Sequence, residues 1–166
     1  SADLIGLTAV PLCHKSSTDI LTHNISGSGI EWIVADDKGL QRFQLVRQKL
    51  PHPPRVILTQ GTEGEGTPWA QALSDDEAPD VEVTAADESK ILYTSGSSGL
   101  PKGVVQTHGN IVANVRSVWN RISLAEELRF FKSAPDYHAM GILNIYFPLA
   151  KGWTLDLARS PDRVLS

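Results

Sequence analysis

Apolar positions along the chain fall into short sets, some alternating and some at helical spacing, divided by polar turns that carry glycine or proline. "TAVPLC" (8–13) reads as a short buried strand, and "SSTDILTHNISGSG" (16–29) as a helix opened by Ser or Thr caps and closed near Gly27 or Gly29. "IEWIVADD" (30–37) predicts the next strand. In "GLQRFQLVRQKL" (39–50), Leu40, Phe43, Val46 and Leu50 recur at helical spacing, and "RVILTQ" (55–60), after three prolines, predicts a third strand. This alternation predicts an α/β fold with mostly parallel sheets flanked by helices.

The pattern breaks between 61 and 89, where "GTEGEGTPWAQALSDDEAPDVEVTAADES" is acidic and rich in Gly and Pro. It reads as a solvated connection with one short helix at most, around Trp69 to Leu73. Alternation resumes with the strand "KILYT" (90–94), a glycine-rich loop and the strand "GVVQT" (103–107). A helix is predicted over 108–122, because Ile111, Val115, Val118 and Ile122 share a face. "RFFKSA" then predicts a strand, "HAMGILNIYFPLAKG" an apolar helix, "WTLDLA" a strand and "SPDRVLS" the opening of another helix. The expected organisation is a βαβ-type lobe over 1–60, the acidic connection over 61–89, and a second lobe over 90–166 that stops short at its C-terminal end.

Composition narrows the function classes. At 166 residues with 41% hydrophobic content, the chain can bury a core. A formal charge of −4 at pH 7 offers no basic field for nucleic acid, while leaving room for a small anion at a local cluster of donors. Cys13 is the single cysteine, so neither a disulfide framework nor a thiolate metal site is expected, and a reducing, cytoplasmic setting is the default. No run approaches the roughly 20 apolar residues of a membrane span, and no signal-peptide pattern opens the chain. Ser1 in place of Met suggests processing, or a piece of something longer. His14, His23, His52 and His108 have no spacing that predicts zinc, "NIS" at Asn24 lies inside a predicted helix, and Trp32, Trp69, Trp119 and Trp153 are expected in cores.

The chemistry concentrates in "YTSGSSGLPKGV" (93–104). Glycines let successive backbone N–H groups turn toward an anion, and Thr94, Ser95, Ser97 and Ser98 add hydroxyls. Lys102 adds a compact positive charge. A Walker A loop needs glycine before its lysine and Ser or Thr after it; Lys102 lies between Pro101 and Gly103 and is followed by a strand-like run, so that reading fails. The GxGxxG fingerprint is absent too.

This segment closely resembles the YTSGSTGxPKG signature of the adenylate-forming (AMP-binding) ligases: acyl-CoA synthetases, fatty acyl-AMP ligases, peptide-synthetase adenylation domains and firefly-type luciferases. The one departure, Ser98 for threonine, keeps the hydroxyl. "APDYHAMGI" (134–142) is similar to a second segment of that family, especially to fatty acyl-AMP ligases in its "YHAMG" part. The resemblance implies that Thr94, Ser95, Gly96, Ser97, Ser98, Gly99 and Lys102 hold nucleotide phosphates. It implies that Tyr137, His138, Met140 and Gly141 lie at the acyl site, with His138 and Lys102 in catalytic roles. Read without the resemblance, His138 could equally cap a helix or bond a backbone carbonyl.

By the same resemblance the expected substrates are ATP with Mg²⁺, a carboxylic acid of fatty or other hydrophobic type, and coenzyme A. A ligase that loads a phosphopantetheine carrier and a non-catalytic nucleotide-binding module are the alternatives. The family's aromatic-Gly-x-Thr-Glu segment, ribose-binding aspartate, hinge and late lysine do not occur among these residues. The chain therefore resembles part of an N-terminal domain, whose partner would be the rest of the enzyme, and is not expected to turn over alone.

Overall fold

The computed structural model describes residues 2–60, 66–74, 76–77, 79–94, 99–121 and 128–157. They form two compact units built from separated segments: 12–80 with 93–104, and 1–11 with 81–92 and 105–166. The acidic stretch is thus divided, its part up to 80 lying in one unit and the rest in the other.

In the first of these units, α1 (Thr18–Ser28) starts where the Ser17 hydroxyl accepts from the Ile20 N–H at 3.3 Å, and stops at Gly29 in the left-handed region (φ 63°). β1 (Trp32–Ala35) runs into α2 (Asp37–Arg47), which Asp36 caps by accepting from the Gly39 N–H at 2.8 Å. The chain returns through β2 (Arg55–Leu58), parallel to β1 in the register Trp32↔Arg55 to Ala35↔Leu58. Leu21, Ile25, Leu40, Phe43, Val46, Leu50, Val56 and Leu58 form one core. Each large aliphatic side chain in it contributes about 1.5–3 kcal/mol through burial. The acidic stretch supplies two elements: β3 (Thr67–Pro68), a third parallel strand the sequence did not predict, and the short α3 (Trp69–Ala72).

The other unit opens with a 3-10 helix over Ala2–Ile5. The "TAVPLC" segment, which ends in the first unit with Leu12 and Cys13, is no strand: among the described residues only Ala9 bridges, in parallel, to Lys90, through bonds from the Ala9 N–H to the Ser89 carbonyl (2.9 Å) and from the Ile91 N–H to the Ala9 carbonyl (3.0 Å). Pro11 interrupts the donor pattern a longer ladder would need. β4 (Glu88–Thr94) and β5 (Lys102–Thr107) form a two-stranded sheet, and the chain passes between the two units inside these strands. α4 (His108–Trp119) begins with a capping box between Thr107 and Asn110 and buries Ile111 and Val115; Ile122 lies outside the described residues. β6 (Arg129–Lys132), α5 (Ala139–Ala150) and β7 (Thr154–Leu157) make a parallel strand–helix–strand unit with register Arg129↔Thr154 to Lys132↔Leu157. Val115 of α4 packs with Phe147 and Trp153 in one core cluster, the Phe147 and Trp153 rings edge to face at 5.4 Å. The segment expected to open a final helix lies outside the described residues.

The tryptophans divide. Trp153 is buried, whereas Trp32 and Trp69 are 48% and 46% exposed, contrary to their expected core placement. The Arg55 guanidinium lies 5.1 Å from the Trp32 ring centre and recovers part of that exposure as a cation–π contact.

A buried charge anchors the N-terminus. Lys90, whose side chain is 6% exposed, donates to Asp3 at 2.9 Å and to the Ser89 hydroxyl at 3.1 Å, and its ammonium lies 4.8 Å from the Tyr146 ring centre. Ser89 donates to the same Asp3 oxygen at 2.7 Å, and Tyr146 donates to the other. Burial by itself raises the Asp3 carboxyl, but the bonds from Tyr146, Lys90 and Ser89 outweigh it and hold the group at about 2, below its ordinary 3.8. Burial first, then the bond to Asp3, push the Tyr146 phenol upward, so it stays a donor.

As pH falls, the unfolded chain takes up the Asp3 proton before the folded one does. The tie therefore stabilises fully above 3.8 and loses its contribution as pH falls to about 2. An Asp3→Asn chain is expected to melt lower than wild type at neutral pH, with the gap closing between about pH 4 and pH 2. A gap that stays constant across that range in a calorimetric series would show that the carboxylate charge is not what holds the helix down.

Candidate functional site

The glycine- and serine-rich segment lies between β4 and β5. Thr94 ends one strand and Lys102 begins the other. "ILYT" and "VVQT" are β-branched and aromatic enough to extend on both sides, so the special backbone chemistry is confined between them. The Thr94 hydroxyl donates to the Lys102 carbonyl over a long 3.5 Å, and both residues are exposed. Gly99 has φ 112°, a conformation in which any side chain would be strained. Ser95, Gly96, Ser97 and Ser98 lie outside the described residues.

The second set of predicted residues sits at the start of α5, in the other unit. His138 occupies the N-cap position with no side-chain capping bond, so its exposed imidazole is not spent on the helix end. The Tyr137 ring lies 4.8 Å from it, tilted by 53°. The turn before them is pinned: Lys132 bridges to Asp136 at 2.6 Å and donates to the Ala134 carbonyl at 3.0 Å, and the His138 N–H donates to the Pro135 carbonyl at 3.1 Å. Gly141 is buried against this turn, where an added Cβ would overlap the Pro135 carbonyl. Met140 is 59% exposed, whereas Ile142 and Phe147 face the core. The apolar stripe of α5 therefore serves mainly packing, leaving Met140 and Leu149 at the surface.

The structure brings Thr94 to Lys102 and groups Tyr137, His138, Met140 and Gly141 around one turn. The two groups belong to different units. A cleft of about 790 Å³ lined by Val83, Ala85, His108, Val112, Arg116 and Asn120 includes none of them. Among the described residues, no three His, Cys, Asp or Glu side chains are grouped to hold a metal ion, so the donor set does not fit a magnesium ion held by these residues alone. In the sequence pattern His23 has no predicted role, and among the aromatics Tyr137 alone is expected near a ligand. His23 meets Pro101 at one end of the loop and Tyr93, at the other end, meets Asn24, with no local signal, because these partners lie 78 and 69 positions away.

A family model described as "AMP-binding enzyme" matches residues 2–166. Feruloyl-CoA synthase from an Amycolatopsis species is 42% identical over 96 residues, which are 56% of this chain and 20% of that protein. The long-chain-fatty-acid–CoA ligase FadD13 of Mycobacterium tuberculosis is 26% identical over 151 residues, 91% of this chain and 30% of the ligase. The luciferase-like enzyme of the nonluminescent mealworm Zophobas morio superposes with a TM-score of 0.81 at 18% identity, over 93% of this chain and 37% of that one. The chain thus spans 20% and 30% of the length of these two relatives.

The Gly141 contact is open to a direct test. Gly141→Ala is expected to lower stability by about 1–3 kcal/mol in chemical denaturation, because the 134–138 turn must move to admit the methyl group. An unchanged midpoint would mean that the turn yields without cost.

Proposed function

The chain belongs to the AMP-binding enzyme family, and from that premise we propose that it is the part of an ATP-dependent acid–thiol ligase that holds the nucleotide's phosphates and borders the acyl site. The observation that carries the reading is the placement of Thr94 and Lys102 at facing ends of the family's loop, with an exposed hydroxyl and an exposed ammonium.

In the reaction proposed, a carboxylate oxygen attacks the α-phosphorus of ATP, pyrophosphate leaves, and acyl-AMP forms; the thiol of coenzyme A then attacks the acyl carbonyl and AMP leaves. One anion must approach another. The groups on this chain answer that problem by drawing off charge and holding reactants in line. Thr94, Ser95, Gly96, Ser97, Ser98 and Gly99 supply hydroxyl and amide donors to the β- and γ-phosphates, and Lys102 offsets charge on the departing pyrophosphate. His138, with an imidazole free of capping duty, orients the carboxylate, and Tyr137, Met140 and the Gly141 backbone border the acid. Magnesium would neutralise phosphate charge when it arrives with ATP.

The names of the two relatives, a feruloyl-CoA synthase and a long-chain-fatty-acid–CoA ligase, support a hydrophobic or aromatic carboxylic acid as substrate and coenzyme A as acceptor. Because the chain covers so little of either, catalysis is assigned to it together with the remainder of such an enzyme. A cytoplasmic setting suits the intracellular supply of ATP and coenzyme A, and no described helix is long and apolar enough to cross a membrane.

Calorimetric titration of the chain with Mg·ATP tests the phosphate site, and pyrophosphate exchange with a fatty acid and with ferulic acid tests the chemistry. Wild type is expected to bind, and Lys102→Ala to bind roughly tenfold or more weakly, as loss of a charge-assisted bond predicts. Exchange is expected to be absent from the chain alone. A wild-type chain that does not bind Mg·ATP would sink the phosphate reading, and exchange at the rate of an intact ligase would sink the division of labour.

A further inference from the structure

Helix α1 reaches both ends of the loop from two adjacent residues. The His23 Nε2 lies 2.9 Å from the Pro101 carbonyl oxygen, and the Asn24 carbonyl accepts from the Tyr93 hydroxyl at 3.0 Å. Tyr93 immediately precedes Thr94, and Pro101 immediately precedes Lys102. The His23 and Tyr93 rings also meet edge to face, with centres 6.2 Å apart and planes at 77°. All four residues belong to the same compact unit. The helix that presents them is held in turn by the main core through Leu21 and Ile25.

A carbonyl oxygen can only accept, so Nε2 of His23 must carry the hydrogen. The Pro101 carbonyl and the Lys102 N–H belong to one planar peptide unit and point in opposite directions. Holding the carbonyl toward α1 therefore turns the Lys102 N–H away from it and sets the plane from which the lysine leaves the chain. Pro101 adds a restricted φ on the other side of that carbonyl.

We propose that His23 is a positioning residue for phosphate binding: by donating to the Pro101 carbonyl it holds the Pro101–Lys102 peptide, and with it Lys102, in the orientation that meets a nucleotide's phosphates. Tyr93 does the same for the Thr94 end through the Asn24 carbonyl. The inference rests on the reading of Lys102 as a phosphate ligand.

The test compares wild type, His23→Ala and His23→Gln by amide hydrogen exchange over residues 102–104 and by Mg·ATP titration, with exchange in α2 as a measure of overall folding. His23→Ala is expected to exchange faster at 102–104, with α2 unchanged, and to bind Mg·ATP about three- to tenfold more weakly, the range for one lost hydrogen bond. His23→Gln, whose amide can donate from a similar place, is expected to restore most of both.

Unchanged exchange at 102–104 in His23→Ala would overturn the tie. Faster exchange with undiminished affinity would overturn the positioning role, and so would a loss of affinity that Gln fails to restore or that comes with faster exchange in α2. Failure of wild type to bind Mg·ATP is a separate result: it removes the phosphate reading and the positioning role with it, while the exchange data still decide whether His23 holds Lys102.

Discussion

The run from Thr94 to Gly103, proposed above to receive phosphates, is glycine-rich in sequence, and a glycine-rich backbone loses more entropy on ordering than any other. The restraint has to come from outside it. Here it comes from α1, whose His23 and Asn24 bond to Pro101 and Tyr93 on either side of the segment. Much of the first unit can be traced from that need. α1 must be stationary to serve as an anchor, and its Leu21 and Ile25 are locked among Phe43, Val46 and Leu58 of the parallel unit behind it. Burial in that core thus passes, through one helix, to Tyr93 and Pro101.

The second unit fixes β4 by different physics. Lys90 lies four residues before Thr94 with its ammonium buried, a placement tolerated because Asp3, Ser89 and the Tyr146 ring surround it. Asp3 belongs to the first turn of the described chain and Tyr146 to the middle of α5, so one carboxylate joins the N-terminal helix, β4 and the helix headed by His138. An apolar cluster could bind these elements as firmly. A charged one also penalises wrong pairings, since any partner that leaves Lys90 buried without a carboxylate pays the full cost of desolvation.

The two candidate groups differ in chemistry as their supports differ. Thr94 and Lys102 stand on exposed strand ends, suited to a highly charged ligand that must enter and leave through water. Tyr137, His138 and Gly141 stand where a turn is pressed so closely against α5 that a side chain at 141 would have to displace the Pro135 carbonyl. Such a turn presents an exposed imidazole whose nitrogens are not spent on capping α5.

What the sequence determined by itself is local. Periodicity and caps located α1, α2, α4 and α5 and most strands to within a few residues, and the run "YTSGSSGLPKG" identified the family, because each of these signals is carried by neighbours along the chain. The exceptions show where that reach ends. "TAVPLC" has strand composition, yet only Ala9 finds a partner; Thr67 and Pro68 lie in a loop-like acidic run, yet pair with β2. Lys90, the first residue of the predicted strand "KILYT", is buried, while Trp32 and Trp69 read as core and are not. His23 with Pro101, Lys90 with Asp3, and Tyr146 with Asp3 are separated by 78, 87 and 143 positions. Only the tertiary structure decided them, because a hydrophobic period states which face of an element avoids water and says nothing of which distant segment will cover it.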